Sequence, residues 1–323
     1  IDLSFTLFFF IYIKDFSFLK SEPIKYLLLL YIYLIFNSLI SLDQSIGFAR
    51  NFGFIRIIIF FIALNYFFKN KFFYQRVFLF WLITISVVLI DVFLESFSGQ
   101  NILGYGSDYG PRIVSFFKDE PIVGAFISGF FLFIFGHLLA KFPRKKIIPL
   151  TFLILAFIAI FLTGERSNTI KIFVGIILFF ILSDFIDLKK KIISLIIISS
   201  IIAGILPNVN FLKNRYVTLI KKFNSKEKLV YQYENNLYLK IYKSGYYVFK
   251  QYPFFGVGNK NFRLKACEIA FDKNNPKSKN YMCTTHPHQL YFELLSEHGL
   301  IGSLILLSLF FYVIYRVFRE ILV

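Results

Sequence analysis

The sequence predicts an all-α, polytopic membrane protein: a bundle of transmembrane helices with one large polar loop. Three observations carry that reading. First, 57% of the 323 residues are hydrophobic and 21% aromatic, with 46 Phe among them. That is more apolar surface than a water-soluble fold can cover. Second, the apolar residues come in runs that approach the roughly 20 helical residues needed to cross a bilayer. In lipid the backbone must bond to itself, which leaves helices or closed barrels. Third, the Lys and Arg behind the net charge of +17 cluster in short segments between the runs. Cytoplasmic loops carry such clusters. The charge is therefore read as membrane orientation, and nucleic acid is excluded as a partner.

Taken in order, the runs are Leu3–Ile13, Ile24–Leu42, Phe54–Phe68, Val77–Leu94, Ile122–Leu139, Ile147–Leu162, Ile170–Ile186, Ile192–Leu206 and Leu300–Val317. The first is short, so eight full spans and a partial ninth are expected. Between them the loops alternate. Lys14–Lys25, Lys69–Arg76, Lys141–Lys146, Lys189–Lys191 and Arg316–Arg319 are basic and belong on the cytoplasmic side. Asp43–Asn51, Glu95–Pro121, Gly164–Asn168 and Pro207–His298 fall on the other. No loop has to be moved to keep the alternation. The expected organisation is residues 1–206 as eight membrane helices, 207–298 as the large loop and 299–323 as the ninth helix. Because the chain starts at Ile1 and stops soon after a basic segment, further chain is expected at both ends. No cleavable signal peptide is recognised, and a span can direct insertion itself.

The large loop is too long for a plain connection and should carry its own helices. Leu237–Lys250 has the period of an amphipathic one. Both cysteines, Cys267 and Cys283, lie in this loop. On an oxidising face a disulfide is the natural reading, and closing such a loop is worth about 3 kcal/mol. Two separate thiols are the alternative. A zinc site from Cys283, His286 and His288 fits by residue type, but the spacing is poor and oxidation competes, so no metal is assigned.

Charges within or near the runs are Arg56, Asp91, Lys171 and Asp184. Each lies within about two turns of a predicted end, so snorkelling to the interface accounts for most of them. No run shows the mid-bilayer carboxylate or broken-helix pair of an ion-coupled transporter.

Four segments could do chemistry. His286 and His288 are two of only four histidines and stand before the last helix. Pro287 suits a first helical turn and Thr285 suits its cap. The positive helix end disfavours imidazolium, leaving the neutral ring that a general base needs. A polar residue capping a span is the plainer alternative. Gly299 and Gly302 share a helix face and read as close packing. The short turn Thr163–Ser167 carries Glu165 and Arg166 where Gly and Ser would suffice. An Arg there can neutralise a pyrophosphate through several donors, or simply pair with Glu165. The loop from Ser98 to Pro121 sets Arg112 and Lys118 near the membrane face. Tyr252–Arg263 has Gly256 and Gly258 for tight turns and Lys260 and Arg263 as cations, without the strand–helix context of a dinucleotide site. Tyr231, Tyr233, Tyr238, Tyr242, Tyr246 and Tyr247 offer faces either to sugars or to the membrane interface.

In this order the segments resemble the O-antigen ligase/polymerase family, over about Ile90 to Gly302. His288-Gln289 followed by Gly299 and Gly302 is the most specific piece. Pro253-Phe254-Phe255-Gly256-Val257-Gly258 and Leu162-Thr163-Gly164-Glu165-Arg166-Ser167 are similar to two further family segments. Arg112 with Phe117 to Gly124 resembles a branch of it, although Val114 and Lys118 replace small residues there. The family has more spans than are counted here. The resemblance implies a metal-independent, inverting glycosyltransferase without cofactors, in the bacterial inner membrane with its active site facing the periplasm. Its donor would be a glycan on undecaprenyl pyrophosphate. The acceptor would be lipid A–core for a ligase, slightly preferred here, or another lipid-linked unit for a polymerase. By the same resemblance His288 would be the base, and Arg166 with a second Arg would hold the pyrophosphate. Arg215 in Lys213–Tyr216 is preferred as that second Arg, with Arg263 the competitor. Arg112, Arg263, His286 and Lys260 are the remaining substrate-binding candidates. From other classes, a flippase or transporter of lipid-linked oligosaccharides and a non-catalytic scaffold are the competing readings.

Overall fold

The computed structural model describes residues 11, 20–106, 110–118, 120–222 and 236–322. The expected short span Leu3–Ile13, apart from Ile11, and the tyrosines at 231 and 233 lie outside these residues. Among the described residues the chain forms helices and no strand. In order they are α1 (Glu22–Leu39), α2 (Gln44–Asn51), α3 (Phe54–Phe68), α4 (Lys71–Ser98), α5 (Val123–Lys141), α6 (Ile147–Leu162), α7 (Arg166–Leu182), α8 (Leu188–Asn208), α9 (Asn210–Lys222), α10 (Leu237–Gln251), α11 (Phe262–Phe271) and α12 (Leu290–Leu322).

Among the described residues six stretches are long and apolar enough to cross a membrane: Glu22–Leu39, Gln44–Phe68, Lys71–Ser98, Val123–Lys141, Leu188–Asn208 and Leu290–Arg319. The expected count of nine is not confirmed among these residues, and the expected short first span lies largely outside them. Helices α6 and α7 have 16 and 17 residues. At 1.5 Å per residue, such helices reach about 25 Å, short of a hydrocarbon core of about 30 Å. Helix α7 stops early because Ser183 turns extended at its end, so the apolar run through Ile186 is not all helix. The amphipathic helix expected at Leu237–Lys250 is α10, capped by Asn236, whose side chain accepts from Tyr238 N and Leu239 N.

The chain forms two compact units, residues 71–226 and residues 1–70 with 227–323. They group the chain by contact, a different criterion from the expected division into spans and loop at 206 and 298. In the 71–226 unit, α5 and α6 form the centre. Ile127, Phe131, Ile134 and Phe135 of α5 meet Leu153, Ala156, Phe157 and Ile160 of α6, all buried. Outward faces are apolar as well: Phe97 is 89% exposed and Ile181 69%. Water would not tolerate that surface, whereas lipid is its natural neighbour. With lipid as the alternative environment, close packing rather than hydrophobic transfer holds such helices together.

Two carboxylates in this unit do not snorkel. Asp91 and Glu95, 1% and 4% exposed, lie one turn apart on α4. Glu95 accepts from Val114 N at 3.0 Å and Ser115 N at 2.6 Å. Asp91 accepts from Ile102 N at 2.7 Å and from the Ser115 hydroxyl. The snorkelling expected of Asp91 is thus replaced by an anchoring role, because the polar loop folds back over the helix end. The other three charges are exposed, and Arg56 donates Nε to its own helix start at Gly53 O.

In the other unit, α1 packs with α2, α3 and α12. Its polar seam is built from amides. Asn51 donates to Leu34 O at 2.8 Å and to Ser38 Oγ at 2.7 Å, and Asn259 Nδ2 donates to Asn51 Oδ1 at 2.6 Å. Asp43 N donates to Asn261 Oδ1 at 2.8 Å, and the Asp43 carboxylate caps α2 through Ile46 N. This network ties the segment after Gly258 to the first two helices.

Candidate functional site

The histidine segment is held from three directions. Cys267 on α11 is disulfide-bonded to Cys283, which lies five residues before His288. Ser244 Oγ of α10 accepts from Met282 N at 2.9 Å. Gly245, one residue on, lies so close that a Cβ there would stand 2.9 Å from Phe292 and 3.5 Å from Pro287. Pro287 is buried between them while His288 is exposed.

Helix α12 starts at Leu290, and its cap is Gln289, not Thr285. Gln289 Oε1 accepts from Phe292 N at 2.8 Å and its carbonyl from Glu293 N at 3.0 Å. Thr285 Oγ1 instead meets His286 Nδ1 at 3.0 Å. Pro287 lies before the cap rather than in the first turn. His288 adopts φ of 53°, a left-handed conformation uncommon outside glycine. Such strain points to a site whose surroundings impose it. The imidazole of His286 sits 4.0 Å from that of His288, centre to centre, and Tyr238 meets His288 edge-on at 6.2 Å. Among the described residues His288 makes no hydrogen bond. Burial pushes its pKa below the usual histidine value, His286 pushes the same way, and Glu293 opposes. The shift is in the direction that favours the neutral ring, with burial as its leading cause.

Two glycine segments interlock in this unit. Val257 N donates to Ser296 O at 2.9 Å and Gly258 N to Glu297 O at 2.9 Å. In return Leu300 N donates to Pro253 O at 2.8 Å and Ile301 N to Phe254 O at 3.1 Å. Helix α12 breaks there: Gly299 has φ 64° and ψ −164°. A Cβ on Gly299 would stand 2.3 Å from Phe254 C, and one on Gly256 2.3 Å from Glu297 C. Gly299 is thus a backbone crossing, not the helix-packing glycine expected. Gly302 does pack as expected, against the ring of Tyr33 on α1. The break leaves Glu297 Oε1, His298 Nδ1 and Ser303 Oγ buried without partners among the described residues. Lys260 Nζ pairs with Glu293 Oε1 at 3.0 Å, and Arg263 is exposed on α11.

In the 71–226 unit the structure brings Arg166 and Arg215 together. Gly164, at φ 69°, closes α6, and a Cβ there would stand 2.7 Å from the Phe211 ring. Arg215 on α9 donates Nε and Nη2 to Gly164 O, both at 3.3 Å, and Arg166 Nη1 donates to Arg215 O at 3.4 Å. These are long bonds that place the two guanidinium groups, and the one from Arg166 uses a single donor of its guanidinium. Tyr216 fastens the arrangement, its hydroxyl 2.9 Å from Thr169 Oγ1 and its ring stacked on Phe161 at 4.9 Å. Glu165 does not pair with Arg166. Its carboxylate accepts from Gly124 N at 2.7 Å, Ala125 N at 3.0 Å and Asn168 Nδ2 at 2.6 Å, capping α5 from a distance. Gly124 permits this, since a Cβ there would meet the carboxylate at 2.9 Å.

Arg112, half-buried, lines a cleft of about 560 Å³ with Glu95, Phe97, Ile158, Leu162 and Phe211. Phe211 is also the residue that covers Gly164. The capping roles of Glu165, Asp91, Glu95 and Gln289 were missed in sequence. For Glu165 a signal existed: a carboxylate in a five-residue turn has to satisfy something.

Residues 151–307 match the family model described as O-antigen ligase. The match takes in Arg166, Arg215, both glycine segments and His286–His288, and leaves out Arg112. No curated protein and no solved structure matches the chain.

Proposed function

With residues 151–307 belonging to the O-antigen ligase family, we propose that this multi-pass membrane protein transfers a glycan from undecaprenyl pyrophosphate to a lipid A–core or similar acceptor. The face is the one opposite the basic loops, the periplasmic side of a bacterial inner membrane. The observation that carries the reading is His288, an exposed imidazole kept neutral, unbonded and in a strained conformation beside Tyr238.

His288 takes the proton of the acceptor hydroxyl as that oxygen attacks the anomeric carbon. The bond from that carbon to the pyrophosphate oxygen breaks, and the electron pair leaves with the pyrophosphate. A single displacement inverts the anomeric centre. Arg166 and Arg215 hold the leaving group, whose charge grows in the transition state. No metal is assigned to this step, because the leaving group's charge is met by guanidinium. The spare donors of Arg166 and the bonding of Arg215 to the same Gly164 turn support this pairing over Arg263. The cleft beside Phe211 offers Arg112 to a phosphate and Ile158 and Leu162 to an isoprenoid stem. Tyr238 and Tyr242, one turn apart on α10, offer faces to the sugars.

The test is complementation in the native host of two deletion strains, one lacking the ligase and one the polymerase, read as lipopolysaccharide ladders. Attachment of pre-made chains that vanishes with His288→Ala, at equal protein level, is the expected result. Restored chain lengthening instead makes the acceptor another lipid-linked unit. Wild-type performance by His288→Ala removes the base assignment and favours the transporter or scaffold.

A further inference from the structure

We infer that the 71–226 unit carries an anionic phospholipid site at the end of α4 and α5 that bears the basic loops. A cleft of about 560 Å³ opens there, lined by Lys71, Arg76 and Lys141 among other residues. Among the described residues no carboxylate lines it, so three formal positive charges converge there. Among the described residues none of the three makes an ion pair. Arg76 lies over the Phe72 ring at 5.0 Å and Lys141 over Phe142 at 5.7 Å, which holds both cations at the rim.

The remaining walls say what kind of anion fits. Phe72 is 65% and Leu79 40% exposed, and both line the cleft together with the buried Leu138. They sit on helices long enough to cross a membrane. A soluble anion such as a nucleotide has no use for that surface, whereas an acyl chain does. Between the two zones lies a polar shelf: His137 Nδ1 is 3.4 Å from the Tyr74 hydroxyl, and the His137 ring stacks on Phe78 at 4.5 Å. Amphipathic rings mark headgroup depth, and basic pockets between membrane helices suit anionic headgroups. The phosphate sits on the three cations and the acyl chain runs along Phe72 and Leu79. The site lies at the end of α4 and α5 opposite Glu95 and the Glu165 cap, so it does not depend on the proposed transfer reaction.

The test uses the full chain, purified into nanodiscs of equimolar dioleoyl phosphatidylglycerol and dioleoyl phosphatidylcholine, with retained lipid read by native mass spectrometry. The wild type retains phosphatidylglycerol preferentially. The double variant Arg76→Gln/Lys141→Gln loses that preference by about tenfold. Lys189→Gln/Lys190→Gln, basic residues of the same unit outside the cleft, keeps it. Leu79→Trp keeps every cation but fills the apolar wall and lowers retention of the lipid, which provides a test if the double variant fails to fold. Millimolar inorganic phosphate leaves the lipid in place. An unchanged preference in the double variant overturns the inference, as does equal loss in the two double variants. Displacement of lipid by phosphate, with Leu79→Trp behaving as wild type, identifies a phosphate site instead.

Discussion

Replacing Glu165 by Gln separates two accounts of the Arg166 turn. If Glu165 merely paired with Arg166, the exchange would resemble removal of an interfacial ion pair, worth about 0–1 kcal/mol and weakened by salt. The observed geometry predicts more. The carboxylate accepts three bonds, two of them from the α5 backbone at Gly124 and Ala125. Glutamine presents one oxygen and one NH2, so at least one of those N–H groups faces a donor. A charge-assisted bond contributes about 1.5–3 kcal/mol, and the charge at a helix start adds about 0.5 kcal/mol. Glu165 is half-buried, which trims the sum to about 2 kcal/mol. For domains of this size that is a fall of roughly 5 °C in Tm. The assay is thermal melting of the detergent-purified protein, with pyrophosphate binding alongside. Glu165→Gln should melt early at both low and high salt, and bind pyrophosphate more weakly because the Arg166 turn loses its tether to α5. Arg166→Gln should weaken pyrophosphate binding while melting near wild type. Equal Tm values for Glu165→Gln and wild type refute the capping argument. Loss that disappears in high salt restores the ion-pair account.

Further outcomes follow from the other contacts. The transfer rate should fall as pH drops through a value below the usual histidine pKa of about 6.5, because protonation removes the base. His286→Ala deletes a neighbour that lowers the His288 pKa, so the acid limb of the pH–rate profile should move toward higher pH. Gly256→Ala and Gly299→Ala would each place a Cβ 2.3 Å from backbone, whereas Gly129 and Gly136 have nothing within 4 Å. The first two should fail to accumulate in membranes and alanine at the latter two should be tolerated, as read by immunoblot. Reducing Cys267–Cys283, or replacing both with Ser, should cost about 3 kcal/mol locally, seen as faster proteolysis between them and lower activity.

The fold class was legible because apolar run length and loop charge are one-dimensional signals. Helix α10 was legible for the same reason, its buried positions Ile241, Ser244, Gly245 and Val248 falling on one stripe. The ends of the helices were not, because Ile170–Ile186 reads as one apolar run although the backbone leaves the helix at Ser183. In the candidate site the residues drew notice in the sequence, whereas their contacts were illegible there. His288 and Arg166 stood out by rarity and placement. The glycines stood out too, but their reason is long-range. Gly124 makes room for Glu165, some 40 positions away, and Gly256 and Gly299 make room for each other's backbone. Nothing local to Gly299 distinguishes a backbone crossing from a packing face. Thr285 was a better cap than Gln289 by propensity, and tertiary contacts at Pro287 and Phe292 overrode that preference.

The distribution of satisfied polar groups also bears on the transporter alternative. An ion-coupled carrier needs intramembrane carboxylates that can exchange protons or cations. Asp91 and Glu95 are buried in a membrane helix, yet backbone N–H groups at Ile102, Val114 and Ser115 already occupy them. Releasing either would leave buried donors unpaired, at about 1–3 kcal/mol each, so they act as fasteners for the loop that carries Arg112. Glu165 is occupied in the same way. Glu297, His298 and Ser303 keep unpartnered atoms, but they are enclosed at the crossing of two backbones whose glycines admit no side chain. His288 differs from all of these in being exposed, neutral and unbonded at once. A group in that state can take a proton from an incoming hydroxyl without first breaking a contact, as the proposed glycosyl transfer requires.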